Sequence, residues 1–241
     1  MSAVCHFPSL EDAVMTAQQV IQYGVPIARI EMLNADQMGI SINYSKLKDI
    51  EAVPTLFFEF HGSESSNKEN IEIVEELSKD NKGSSFKWAK DLEDRNKLWQ
   101  ARWDVYYSVK ALNDNGRVYS TDVCVPISKI TECVKFAEEK AKEFGVRAPM
   151  VGHMGDGNFH VVLPYDPAKK EMYKQLRAFN SSLIRKALEL EGTITGEHGV
   201  GLHKKEYLLE QHPDSIPVMK SIKRTLDPNN IMNPGKIFDL N

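Results

Sequence analysis

The chain has 241 residues, a length that allows one large domain or two small domains sharing an interface. Hydrophobic residues make up 41% and charged residues 27%, which is typical of a soluble globular protein. The formal net charge of −4 argues against a nucleic acid or an anionic membrane as partner, and no apolar run approaches the ~20 residues of a membrane helix. Three cysteines without CxxC spacing argue against a disulfide framework or a zinc knuckle: Cys5, Cys124 and Cys133.

Hydrophobic periodicity and turn signals predict alternating strands and helices. In chain order they predict a strand over 2–7, a helix from the Ser9 capping box to about Gly24, strands over 26–33 and 56–60, a polar turn over 63–67 and a helix over 69–79. There follow a short strand over 85–89, a helix over 91–112, a strand over 118–126, a helix from Ser128 to about Gly145, a hairpin over 149–164 and a helix over 168–190. Prolines divide the residues from 204 onward into short helical pieces.

The hairpin decides the predicted fold class, because its two strands are antiparallel. We therefore predict an α+β fold with a mainly antiparallel sheet covered by helices, rather than a doubly wound parallel sheet. We assign residues 1–203 to one substrate or cap domain and residues 204–241 to a C-terminal helical segment.

The segment 152–160 (GHMGDGNFH) carries the strongest chemical signal. If Asp156 and Gly157 form a two-residue hairpin turn, His153 lies directly opposite His160 on one face of the sheet, with Cβ atoms roughly 4.5–5.5 Å apart. Two imidazoles placed in this way can bind one metal ion, although a pair of ordinary sheet histidines is about equally consistent with the spacing. The opposite face is predicted to enter the core with Met154, Phe159 and Val161.

A glycine-rich loop at 195–201 (TGEHGVG) carries the second signal, because its three glycines allow the backbone to approach a bound group closely. Glu197 supplies a possible third metal ligand, and two histidines with one carboxylate leave a coordination position for substrate. His198 is then free to act as a general base. The alternative is a flexible glycine loop with a solvated Glu and His, which the nearby histidine hairpin makes less favourable.

Arg102 carries the third signal, since it falls within the apolar helical stripe of Leu98, Val105 and Val109. A guanidinium in such a stripe needs an anionic partner, because an unpaired buried charge is very costly. That partner is either an acid within the protein or a carboxylate of the substrate.

These motifs, together with the segment 232–236 (MNPGK), resemble the FAD-linked oxidases of the vanillyl-alcohol-oxidase type over essentially the whole chain. Within that family, the segments 119–128 (YSTDVCVPIS) and 44–47 (YSKL) are most similar to mitochondrial members that oxidise D-lactate. The resemblance implies a cap domain that closes over FAD held mainly by a separate N-terminal domain. It also implies that residues 204–241 pack toward that flavin domain. A mitochondrial location is expected from the resemblance, although the chain shows no targeting peptide.

The resemblance also implies roles by motif position. His153, His160 and Glu197 hold a divalent metal, zinc or manganese, while His198 is the base and Arg102 clamps the substrate carboxylate. The cofactor FAD is expected near four residues of the loop and the tail: Glu197, Gly199, Gly201 and Asn233.

The activity implied is a flavin-dependent D-2-hydroxyacid dehydrogenase that converts D-lactate to pyruvate and passes electrons through FAD to cytochrome c. Alternatives within the family are D-2-hydroxyglutarate or glycolate as substrate. Alternatives from other classes are a non-catalytic metal-binding fragment and a metallohydrolase, the latter having no use for the flavin-family motifs. We expect the isolated chain neither to retain FAD nor to oxidise D-lactate unaided.

Overall fold

The computed structural model describes residues 1–48, 50–113 and 116–240, and in this part of the chain eight strands form one sheet. The strands are β1 (Ser2–His6), β2 (Arg29–Leu33), β3 (Thr55–Glu59), β4 (Ser84–Ala89), β5 (Arg117–Ser120), β6 (Val123–Cys124), β7 (Met150–His153) and β8 (Asn158–Tyr165). Their order is β4-β1-β3-β2-β7-β8, with β5 and β6 lying end to end along the outer edge of β8. Every strand pair described is antiparallel.

Helices cover both faces of the sheet. They are α1 (Leu10–Gln22), α2 (Ala35–Ser45), α3 (Glu64–Asp80), α4 (Leu92–Trp103), α5 (Val105–Lys110), α6 (Ile130–Phe144), α7 (Lys170–Glu189), α8 (Lys205–Gln211) and α9 (Ile216–Leu226). Helices α1, α3, α6 and α7 enclose the larger core, and α2, α4 and α5 enclose a smaller one on the opposite face. The predicted α+β class is confirmed. Among the described helices, none has both the length and the apolar character required to cross a bilayer.

Side-chain caps explain where several helices begin. Ser9 Oγ accepts the Asp12 N–H at 3.0 Å, which confirms the predicted start of α1. Ser63 caps α3 in the same way, so the polar turn predicted over 63–67 is wrong and the helix begins there. Asn34 caps α2, a helix that the apolar pattern did not predict because its sequence is only weakly amphipathic.

Two predicted elements are divided in the structure. The helix predicted over 91–112 breaks at Asp104, whose carboxylate accepts hydrogen bonds from Ser45 Oγ and, at 2.7 Å, from Gln100 Nε2. The strand predicted over 118–126 is interrupted at Thr121 and Asp122, between β5 and β6. At the second interruption, the Thr121 hydroxyl rather than a backbone carbonyl accepts the Val161 N–H.

The sheet consists of two units with the same topology. The first runs β1-α1-β2-β3-α3-β4, with α2 inserted after β2, and has the spatial order β4-β1-β3-β2. The second runs β6-α6-β7-β8-α7 and ends at Thr193, which bridges to Cys124 of β6. Each is therefore a βαββαβ arrangement. The units join where β2 pairs with β7, and the residues singled out by their chemistry gather near this junction.

Candidate metal and substrate site

The histidine hairpin is built with a longer loop than predicted. His153 pairs with Asn158, and Val151 pairs with His160, so residues 154–157 form the loop. The predicted direct opposition of His153 and His160 is therefore wrong. Because side chains alternate with a period of two, the shifted register keeps both imidazoles on the same face, and their ring centroids lie 5.6 Å apart. The opposite face carries Met154, Phe159 and Val161, which are buried as predicted.

The hairpin turn differs from the predicted two-residue turn because Gly157 is hydrogen-bonded to Val125, in the segment after β6. Its carbonyl accepts the Val125 N–H at 2.9 Å, and its φ is +76°. A Cβ at this position would lie 2.1 Å from the Val125 carbonyl oxygen. The glycine is thus required by close packing against the segment after β6, rather than by a two-residue turn.

The glycine-rich loop brings Glu197 to the two histidines. Glu197 Oε1 lies 2.9 Å from His160 Nε2 and 3.7 Å from His153 Nε2. One ligand atom from each of the three residues lies within 4.8 Å of the other two. Glu197 is half exposed while His160 is buried, so the cluster has a buried floor and an open side. The three predicted metal ligands therefore lie together.

His160 is oriented by the backbone carbonyl of Thr121, which bonds to the imidazole and not to the neighbouring strand. Opposite Val161, Thr121 donates its N–H to the Val161 carbonyl at 3.0 Å, but its own carbonyl accepts from His160 Nδ1 at 2.9 Å. The Thr121 hydroxyl takes the Val161 N–H instead, at 2.8 Å. An antiparallel pair normally exchanges two backbone hydrogen bonds, and here the threonine side chain replaces one of them. The carbonyl that is released fixes the proton of His160 on Nδ1.

The unprotonated Nε2 of His160 consequently faces a carboxylate. This nitrogen is buried and makes no hydrogen bond, although Glu197 Oε1 is 2.9 Å away. Burial lowers the pKa of His160, which favours the neutral ring. A lone pair and a carboxylate oxygen at this distance repel unless a cation lies between them. The donor set therefore fits a divalent metal ion.

His153 and Arg102 share one buried carboxylate. Glu31 is 4% exposed, and its Oε1 lies 2.9 Å from His153 Nδ1. Its Oε2 accepts a hydrogen bond from Arg102 Nε at 3.0 Å and forms an ion pair with Arg102 Nη2, also at 3.0 Å. Burial would raise the pKa of Glu31, but its bonds to His153 and Arg102 bring it below the usual value. The hydrogen bond to Glu31 raises the pKa of His153.

The structure describes the side chains of two of the three residues in the apolar stripe predicted around Arg102. Val105 and Val109 are buried, and the side chain of Leu98 lies outside the described part of the chain. Of the two partners considered for Arg102, the structure supplies the acid within the protein, Glu31. The guanidinium remains partly exposed and retains N–H groups on Nη1 and Nη2 beyond those bonded to Glu31.

Asp122 holds the glycine-rich loop in place. This fully buried carboxylate accepts the N–H of Gly196 and of His198, both at 3.0 Å, and the Thr195 hydroxyl at 2.5 Å. Asn158 Nδ2 donates to it from β8 at 2.9 Å. Burial alone would raise the pKa of Asp122, but these hydrogen bonds keep it well below its usual range. The carboxylate therefore fixes the backbone from which Glu197 and His198 project.

Lys204 and Gly196 complete this anchor. Lys204 Nζ donates to the carbonyls of Ile194 at 2.7 Å and of Asp122 at 2.9 Å. A Cβ on Gly196 would lie 2.0 Å from Asn158 Nδ2, so only glycine lets the loop approach β8 this closely. The sequence interpretation identified neither Asp122 nor Lys204, because nothing local distinguishes them from exposed charges.

His198 lies at the open side of the cluster. Its ring stacks on His160 with centroids 4.8 Å apart, and its Nε2 is 3.6 Å from Glu197 Oε1. The side chain is 42% exposed. It therefore lies beside the candidate metal ligands while remaining accessible to a bound molecule.

The remaining predicted cofactor residues lie farther along the loop and in the tail. Gly199 and Gly201 have φ of +74° and +51°, and open space surrounds both Cα atoms where a side chain would start. The Gly201 carbonyl accepts the Ile237 N–H at 2.8 Å, which ties the loop to the segment after Asn233. Asn233 is exposed and, with Val200, borders an apolar groove of about 590 Å³.

The fold is shared with two solved enzyme structures. These are p-cresol methylhydroxylase with substrate bound and 4-ethylphenol oxidase from Gulosibacter chungangensis, each with a TM-score of 0.70. The sequence identities are 14% and 16%, and the matches cover 99% and 98% of this chain but 53% of each of those chains. The fold is thus that of about half of each larger chain.

The family model "FAD linked oxidases, C-terminal domain" matches residues 1–237, and the chain belongs to that family. A Danio rerio protein named probable D-lactate dehydrogenase, mitochondrial, is 44% identical over 100% of this chain and 48% of its own length. An Arabidopsis thaliana protein named D-lactate dehydrogenase [cytochrome], mitochondrial, is 36% identical over 98% of this chain and 42% of its own. The Bacillus subtilis glycolate oxidase subunit GlcD is 30% identical over 96% and 49%. The family resemblance is confirmed, and the chain spans about half the length of these relatives.

Proposed function

We propose that this chain is the substrate- and metal-binding half of an FAD-dependent D-2-hydroxyacid dehydrogenase that oxidises D-lactate to pyruvate. The observation that carries the proposal is the convergence of His153, His160 and Glu197 beside His198 and Arg102. 2-Hydroxyacid oxidation needs a group that polarises the hydroxyl, a base that takes its proton and a cation that binds the carboxylate. The metal-ligand set, the imidazole of His198 and the guanidinium of Arg102 match these three needs. The names of relatives at 44% and 36% identity support D-lactate as the substrate.

We propose zinc or manganese as the metal held by His153, His160 and Glu197. The support comes from orientation: the other nitrogen of each imidazole faces an oxygen acceptor, Glu31 for His153 and the Thr121 carbonyl for His160. Such outer partners direct the remaining nitrogen of a histidine toward a metal. A divalent ion bound there supplies Lewis acidity that lowers the pKa of a substrate hydroxyl.

Arg102 and His198 supply the remaining functions of this chain. Arg102 binds the substrate carboxylate with the N–H groups that Glu31 leaves free, and this fixes the orientation of the 2-hydroxy group. His198 accepts the hydroxyl proton, since it is exposed beside the metal ligands and is not one of them. As the carbonyl of pyruvate forms, the α-hydrogen leaves with its electron pair.

FAD, which would be bound mainly by the other half of the dehydrogenase, would supply the acceptor for that hydride. We propose that residues 204–241 pack toward the flavin half, with Gly199, Gly201 and Asn233 nearest to it. The apolar groove bordered by Val200 and α9 supports this arrangement, since most apolar side chains of α9 are exposed in this chain. We also propose a cytochrome c-type acceptor and a mitochondrial location. The word "cytochrome" in the name of the Arabidopsis thaliana relative and "mitochondrial" in the names of both relatives support them.

Replacing His160 with alanine should abolish tight zinc binding by this chain. The wild-type protein is expected to bind one zinc ion in a calorimetric titration, whereas the variant loses the most buried of the three ligands. His212→Ala is the matched control, because His212 is an exposed histidine at the end of α8. A wild-type chain that takes up no zinc, or a His160→Ala chain that binds it normally, would contradict the ligand assignment.

D-lactate oxidation should appear when this chain is co-expressed with the remaining, flavin-containing half of the Danio rerio relative. The expected result is a yellow complex that reduces an artificial dye with D-lactate and not with L-lactate. Arg102→Lys in the same complex should lower kcat/KM roughly ten- to a hundredfold, because a point ammonium cannot reproduce a guanidinium fork.

The substrate assignment fails if the yellow complex prefers glycolate or D-2-hydroxyglutarate. Glycolate is the specific alternative, because the Bacillus subtilis relative is a glycolate oxidase subunit. A complex that binds FAD and zinc but oxidises none of these acids would instead favour a metal-binding role without catalysis.

A further inference from the structure

Glu31 contacts both His153, a proposed metal ligand, and Arg102, the proposed binding residue for the substrate carboxylate. It lies on β2, directly opposite His153 of β7, at the junction of the two βαββαβ units. One carboxylate oxygen contacts the imidazole of His153; the other accepts the Nε–H of Arg102 on α4 and lies 3.0 Å from its Nη2. The site therefore contains one buried carboxylate with donors on both sides.

We propose that Glu31 is a positioning residue that couples the carboxylate clamp Arg102 to the metal ligand His153. The proposal rests on the proposed function, in which these two residues bind different groups. Glu31 fixes the tautomer of His153 through one oxygen and the orientation of Arg102 through the other. Only a group with acceptors on both sides can satisfy the two donors together.

This requirement makes Glu31→Gln an informative change. A glutamine has nearly the same shape but offers a carbonyl on one side and an NH₂ donor on the other. Arginine cannot accept a hydrogen bond, so the carbonyl must face Arg102 and the NH₂ must face His153. His153 Nδ1 then becomes an acceptor, and the proton of the neutral ring moves to Nε2. That is the nitrogen directed at Glu197, so the metal-binding lone pair is lost.

The guanidinium end depends on the same carboxylate. Arg102 donates Nε–H to one oxygen of Glu31 and holds Nη2 3.0 Å from the same oxygen, which leaves N–H groups of Nη1 and Nη2 for an incoming carboxylate. Rotation of the guanidinium away from Glu31 would redirect this remaining pair of donors. The orientation of the clamp and the ligand state of His153 are thereby linked through a single side chain.

The first experiment measures the tautomer of His153 by ¹⁵N NMR in the metal-free chain. At about pH 9, well above the ordinary histidine pKa of ~6.5, neutral His153 should carry its proton on Nδ1 in the wild type and on Nε2 in Glu31→Gln. Zinc affinity should fall roughly 10- to 100-fold in the variant. Glu59→Gln is the matched control, because Glu59 on β3 also pairs with an arginine but does not contact His153; it should leave both readouts unchanged.

A double variant distinguishes coupling from general destabilisation. In Glu31→Gln with Arg102→Met, no guanidinium competes for the glutamine carbonyl, which can turn to His153 and restore the Nδ1–H tautomer. Zinc affinity should then recover toward the wild-type value, whereas a merely structural role predicts that the second substitution makes it worse.

Two outcomes separate this inference from the proposed function. An Nε2–H tautomer in the wild type, or a double variant no better than Glu31→Gln, would overturn the role of Glu31 even if zinc binds. A wild-type chain without zinc affinity but with the expected tautomers would refute the metal site and leave the positioning role supported. If Glu31→Gln does not fold, the role of Glu31 is tested by the tautomer of His153 in the wild type and by the zinc affinity of the double variant.

Discussion

Replacing His198 with glutamine is expected to lower kcat for D-lactate by roughly 10²–10⁴-fold in the enzyme reconstituted with its flavin half, the usual contribution of a positioned general base. Glutamine can form hydrogen bonds but cannot take up the hydroxyl proton near neutral pH. Because Glu197 and the other two histidines remain, zinc affinity should change little. The measurement is steady-state dye reduction together with a zinc titration of the same preparation.

His203→Gln provides the control for His198, because His203 is an exposed histidine a few residues farther along the chain. It should retain normal turnover. If His198→Gln loses zinc and activity together, His198 supports the metal site rather than acting as the base. If it keeps a wild-type kcat, another group removes the proton.

Replacing Asp122 with asparagine is expected to destabilise this chain by about 3–5 kcal/mol, the usual consequence of removing one partner from a buried ionic pair. Every hydrogen-bond partner described for Asp122 is a donor, including Lys204 Nζ and the N–H groups of Gly196 and His198. An asparagine NH₂ would face some of these donors and leave the lysine charge without its carboxylate. At about 2–4 °C per kcal/mol for a chain of this size, Tm should fall by roughly 6–20 °C.

The anchoring role of Asp122 also predicts weaker zinc binding, because Glu197 projects from the loop that Asp122 holds. Asp156→Asn, an amide substitution at an exposed residue of the hairpin loop, should change neither Tm nor zinc affinity. A normal Tm in Asp122→Asn would show that the loop is held by other contacts. A lower Tm with unchanged zinc affinity would show that Asp122 stabilises the fold without positioning Glu197.

The sequence predicted many of the helices, strands and buried faces, because strand alternation and helix caps depend on residues that are close together in the chain. The alternation around His153 and His160 places both imidazoles on one face even when the register shifts, since the period of a strand is two residues. The Ser9 cap, the α6 helix ending at Gly145 and the buried face with Phe159 follow from similarly local rules. Gly196, next to Glu197, likewise indicated a loop that approaches other groups closely, and it lies against Asn158.

Tertiary structure decided which distant groups complete the site. The sequence interpretation did not single out Glu31, which β7 and α4 bury between His153 and Arg102. Asp122 and the Thr121 carbonyl act only because β6, β8 and the loop near residue 196 meet. Hydrogen-bond satisfaction in a buried site depends on partners far apart in sequence, and periodicity carries no information about them. The sequence therefore determined the types of the candidate ligand residues and the face that the two histidines share, while the junction of the two units determined their orientation.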